Sequence, residues 1–172
     1  LKTPICSFDA KSGVLCRKCE TKLKSGSITQ DDVEAATKLI GLADRNQEVN
    51  KFTLSRATRV HGDFVLVFRG SDVSVLRGNE ELASKIEKQM GQKVWFVETE
   101  VSERRFIESL FHPLKVLSVN FFWLPEANKV TKVIIGDDAK NTPVNIEKVQ
   151  KIAKAIRNIE LLVEFKNNQT RI

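Results

Sequence analysis

The chain lacks any apolar run long enough to cross a bilayer. Its longest such runs, Phe64–Phe68 and Phe121–Leu124, are a fraction of the length that a spanning helix needs. The first residues, Leu1-Lys2-Thr3-Pro4, lack the apolar core of a signal peptide, so the expectation is a cytoplasmic protein without a membrane partner. Nucleotide-binding glycine motifs are missing, as is an HExxH metalloprotease motif. His61 and His112 stand without a spaced carboxylate and nucleophile, so no triad or proton relay is expected. The chain reads as a binding protein and not an enzyme.

Cysteine is scarce, and all of it lies at the front. Cys6, Cys16 and Cys19 are the three cysteines, an odd number that argues against a disulfide framework. Cys16-Arg17-Lys18-Cys19 is a CxxC, whose spacing lets both sulfurs turn toward one point, as half of a tetrahedral zinc site requires. Cys6-Ser7-Phe8-Asp9 repeats the spacing with Asp9 in the place of a second cysteine. Three thiolates and one carboxylate form an acceptable zinc set, and Lys11, Arg17 and Lys18 offset its negative charge. Residues 1–24 also hold too few large apolar side chains to order themselves without a staple. The alternatives are ordinary buried or free cysteines, or a redox pair, although no βαβ thioredoxin pattern follows. Zn(2+) held by Cys6, Asp9, Cys16 and Cys19 is the expectation, with His61, His112 or Glu20 as substitutes for the fourth ligand.

What is present is charge, unevenly placed. The 172 residues carry 28 Lys+Arg against 22 Asp+Glu, a net charge of +6. Residues 1–24 are net +4, residues 25–98 net −1 and residues 99–172 net +3. Two basic clusters follow, one from Lys11, Arg17, Lys18, Lys22 and Lys24, the other from Lys140, Lys148, Lys151, Lys154 and Arg157. Such clusters bind phosphates through charge and counterion release without reading bases, although a solvated face is the plainer reading of either alone.

The periodicity predicts an α+β chain. Thr29 caps a helix with Val33, Ala36, Ile40 and Ala43 on one face. Strands are expected over 52–60 and 64–68 around a turn at His61-Gly62-Asp63. A helical stretch from Ser71, a helix over 80–90 closed by Gly91, and a strand over 93–98 complete an α-β-β-α-α-β order. A helix from Ser102, a hairpin of 115–124 and 129–136 around Glu126-Ala127-Asn128, a helix over 145–157 and a strand over 160–165 then repeat much of it. Trp95-Phe96 and Phe121-Phe122-Trp123 fall on strands, where most of these rings are expected in the core and some could stack on bases.

At this point the sequence resembles the tandem KH region of NusA transcription factors, especially archaeal NusA-like proteins. The resemblance is carried by Val97-Glu98, by Arg105-Phe106-Ile107-Glu108-Ser109-Leu110-Phe111-His112-Pro113-Leu114-Lys115-Val116, and by the strand ending Val133-Ile134-Ile135-Gly136-Asp137-Asp138. It covers roughly residues 29–165. It implies two type II KH-like modules, three-stranded sheets packed with helices, over 25–98 and 99–172, preceded by a zinc knuckle over 1–24. It also implies an RNA-binding accessory role with RNA polymerase or the ribosome. The KH clamp, a Gly-x-x-Gly loop, falls at Arg77-Gly78-Asn79-Glu80 in the first module, where Gly78 alone remains and Glu80 opposes phosphate. In the second it falls near Val144-Asn145-Ile146-Glu147, which has no glycine. RNA contact is therefore expected from the basic clusters, with Arg77, Gly78 and Asn79 at the remnant loop. The competing expectation is a protein-docking module or a structural ribosomal component.

Overall fold

The computed structural model describes residues 1–125, 129–136 and 143–166. The chain divides into two compact units, Leu1–Val101 and Ser102–Ile172.

The first unit opens with two short helices, α1 (Ser7–Ser12) and α2 (Arg17–Lys24), followed by α3 (Gln30–Ala43) and α4 (Gln47–Lys51). Strands β1 (Leu54–Val60) and β2 (Asp63–Arg69), helices α5 (Gly70–Gly78) and α6 (Glu80–Met90), and strand β3 (Val94–Thr99) complete it. Thr29 caps α3 as expected, and its side chain and that of Asp32 exchange hydrogen bonds with each other's backbone N–H, a full capping box. The two-residue turn between β1 and β2 has both His61 and Gly62 at positive φ, the geometry that matches strand twist. β2 is central, antiparallel to β1 and parallel to β3, and only its last residue is exposed.

Helix α3 has two buried faces. Ala35, Leu39 and Ala43 pack with Phe64, Leu66, Phe68, Leu82 and Ile86 over the sheet. Val33, Ala36 and Ile40 pack with Ile5, Ala10, Cys19 and Ile28. Residues 1–24 are thus packed within the first unit, and Lys2 adds a backbone bridge to Thr53.

The second unit runs α7 (Glu103–Leu110), β4 (Val116–Trp123), β5 (Lys129–Ile135), α8 (Ile146–Arg157) and β6 (Glu160–Phe165). Its sheet repeats the first: β4 is antiparallel to β5, β5 is parallel to β6, and the order is β4-β5-β6. Even the irregularity recurs, since β1 and β4 each shift register just after their first residue, at Leu54/Arg56 and Val116/Ser118. The turn expected at Glu126-Ala127-Asn128 lies outside the described residues.

One expectation needs correcting. Phe52 does not begin a strand; it follows α4, which Asn46 caps by accepting the N–H groups of Glu48 and Val49. Its ring is buried edge-on against Phe68 instead.

Candidate metal centre and basic surfaces

Two helix starts build the cysteine cluster. Cys6 is the N-cap of α1, and its sulfur accepts the Asp9 N–H at 3.5 Å. Cys16 is the N-cap of α2, and Cys19 lies one turn in, 2% exposed. Each pair therefore joins a cap residue to the third helical position, whose side chains lie on one side of a first turn. Gly13, at φ 72, ends α1 in the left-handed conformation and turns the chain back toward α2. The donor atoms of Cys6, Asp9, Cys16 and Cys19 all lie within 4.8 Å of one another. Neither Glu20 nor either histidine belongs to the group.

The carboxylate of Asp9 is divided in its duties. Oδ2 accepts the Cys16 N–H at 2.9 Å. Oδ1 is fully buried and has no hydrogen-bond partner. A buried carboxylate oxygen without a partner is costly, and a cation is one remedy. The Cys19 thiol, first, and the Cys16 N–H hold the Asp9 carboxyl well below the usual carboxylate range. Reciprocally, the neighbouring Asp9 carboxylate pushes the Cys19 thiol up to about 12. These four residues, three sulfurs and one oxygen, lie close enough together to hold a metal ion.

The basic residues are distributed differently from a simple stripe. Arg17, Lys18 and Lys24 are exposed on α2 and make no ion pair among the described residues. Lys22 reaches the Pro4 carbonyl at 3.5 Å, and Lys11 pairs with Asp44 at 3.0 Å. On α8, Lys151 pairs with Glu147, and Lys154 stands 3.9 Å from Glu160. Arg157 lies over the Phe106 ring at 4.5 Å. Lys148 is half-buried in the first turn of α8, and Lys140 lies outside the described residues. At the remnant loop Arg77 pairs with the buried Glu98 at 3.4 Å. Gly78 ends α5 with open space where a Cβ would stand, and Asn79 caps α6 by accepting the Leu82 N–H.

Sequence reasoning placed most of the strand aromatics in the core. The structure exposes a continuous strip, Phe121 (47%), Phe122 (50%), Trp123 (72%) and Leu124 (48%). The signal was present: three large apolar residues in succession on one strand, with a fourth just beyond its end, cannot all point to a single buried face. Trp95 is half-buried and donates its indole N–H to Asp63 at 3.0 Å. Among the described residues no helix is long and apolar enough to cross a membrane.

No family model and no curated protein sequence matches the chain. Among solved structures, the crystal structure of APE1850 is similar, with a TM-score of 0.51 and 13% identity over 75% of this chain and 95% of that one. At that identity the likeness concerns the fold.

Proposed function

We propose that this chain is an RNA-binding accessory protein of the NusA-like KH type, acting in the cytoplasm beside RNA polymerase or the ribosome, with zinc as its structural metal. The observation that carries the reading is the duplicated sheet: two units, each with an antiparallel and then a parallel strand pair in the same order, irregular at the same place. The two KH-like modules of the resemblance are the simplest source of such a repeat. Because both glycine loops are degenerate, contact falls to charge. The cations Arg17, Lys18 and Lys24 on α2, which make no ion pair among the described residues, are best placed for it, stiffened by a metal at the start of the same helix. Affinity for structured RNA should then fall steeply with salt, by about tenfold or more between 50 and 200 mM for a few phosphate contacts. Binding that stays flat over that range overturns the reading.

A second reading is favoured by the pairing on α8 and at the remnant loop, which withdraws Lys151, Lys154 and Arg77 from phosphates. In it the modules dock protein, and free RNA binds negligibly. Recovery of a polymerase or ribosomal subunit on the immobilised chain, without affinity for free RNA, selects this reading.

A further inference from the structure

The two sheets treat their first edge strand in opposite ways. An exposed edge offers unpaired N–H and C=O groups to any other strand, and proteins blunt it with charges, bulges or covering groups. β1 is thoroughly blunted. Lys2 exchanges backbone hydrogen bonds with Phe52 and Leu54, both at 2.9 Å. Further along, Asp32 accepts the Ala57 N–H at 2.6 Å and Asp31 accepts the Arg59 N–H at 2.8 Å. Arg56 and Arg59 add charge along the strand.

β4 occupies the same place in the second sheet and has none of this. It is an edge strand in the order β4-β5-β6. Among the described residues nothing caps its outward backbone groups. The stretch Val116–Pro125 contains no charged residue. Beyond the shift at Val116/Ser118 its pairing with β5 is regular through Trp123. Both of its faces carry exposed rings, Phe121 and Trp123 on one and Phe122 on the other.

We propose that β4 pairs edge to edge, antiparallel, with β4 of a second copy of this chain, joining two three-stranded sheets into one of six strands. The occupant is argued from charge. A two-fold axis normal to the sheet brings each strand against itself reversed, so any charged residue near the axis meets its own like. A charge-free strand escapes that penalty in every register. Centred on Asn120, the pairing sets Val119 opposite Phe121 and Ser118 opposite Phe122, each ring against a smaller neighbour. Nucleic acid fits the strip less well: of the cations across from it on β5, Lys129 lies over the Phe121 ring at 4.3 Å and pairs with Glu103 at 2.6 Å, and Lys132 pairs with Glu164 at 2.7 Å.

The test is the oligomeric state of the full, metal-replete chain by sedimentation velocity, between about 1 and 200 µM. The expected result is a concentration-dependent dimer. Asn120→Lys, at an exposed position, and Phe122→Lys should each give a monomer with an unchanged circular dichroism spectrum. Amide exchange over 118–123 should slow at high concentration in the parent chain alone. A parent chain monomeric throughout the range overturns the proposal, as does a dimer that both variants retain. A monomeric parent whose affinity for a single-stranded RNA oligonucleotide drops on Phe122→Lys also overturns it and makes the strip a base-stacking platform.

Discussion

Cys16 donates its backbone N–H to Oδ2 of Asp9 at 2.9 Å, across the turn between two helices. This bond aims the other carboxylate oxygen, Oδ1, into a buried space with no protein partner. The geometry leaves Oδ1 as the oxygen that Asp9 could offer to a metal ion beside Cys6, Cys16 and Cys19.

Elemental analysis of protein purified without added metal should therefore find about one zinc per chain. Cys16→Ser and Cys19→Ser should each abolish most of it. Asp9→Asn should weaken metal affinity by at least about tenfold, since even outer partners of a metal site carry that much. Chelation should lower the thermal midpoint by on the order of 10 °C. A midpoint indifferent to chelator would remove the metal from the account of the fold.

Asp32 joins a helix start to a strand edge. Its two oxygens accept the Thr29 N–H at 2.7 Å and the Ala57 N–H at 2.6 Å. Asp32→Ala should cost about 2–3 kcal/mol in denaturant unfolding, from a lost cap and an orphaned buried N–H. Asp32→Asn keeps one acceptor and should cost less.

The pH dependence of stability should have a contribution from Glu34. The Arg59 guanidinium, first, and then Lys38 hold its carboxyl below the usual range. A carboxyl lowered in the fold stabilises above its unfolded pKa and loses that contribution as pH falls through its folded value. The unfolding free energies of the parent and Glu34→Gln should differ by about 0.5–1 kcal/mol at pH 6. They should converge as pH falls below the ordinary glutamate value of about 4.3 and through the lower folded value. A difference that does not shrink on acidification would refute the assignment.

The two basic clusters should separate in RNA binding. Reversing Arg17, Lys18 and Lys24 together to Glu should lower affinity by about tenfold or more and flatten the salt slope by about two to three. Reversing Lys151 and Lys154, whose charges are already engaged by Glu147 and Glu160, should change it less than about threefold. Filter binding against salt measures both.

The sequence was most legible where one signal had no competitor. The Thr29 cap, Gly91, the His61-Gly62 turn and the apolar run of β2 placed α3, α6 and the first hairpin nearly to the residue. The cysteine spacing brought Cys6, Asp9, Cys16 and Cys19 together as expected, because helix caps and ligand spacing both favour a three-residue step. Helix α4 was hidden by Phe52, whose apolar neighbours imitated a strand. The ion pairs that withdraw Arg77, Lys151 and Lys154 could not be read, since a charge count does not reveal which acid lies across a turn or on the next strand. The exposed rings of β4 escaped because alternation predicts one buried face, and an edge strand need not have one.

Helix α3 carries a final consequence. One of its faces belongs to the sheet's core and the other to the packing around Cys19. An ion bound at residues 6–19 is therefore thermodynamically linked to residues 30–43, which never touch it. If a metal binds at the cysteine cluster, it would also stabilise the packing of α3 on the strands beneath it, so that metal removal would loosen the first 24 residues and the first sheet together.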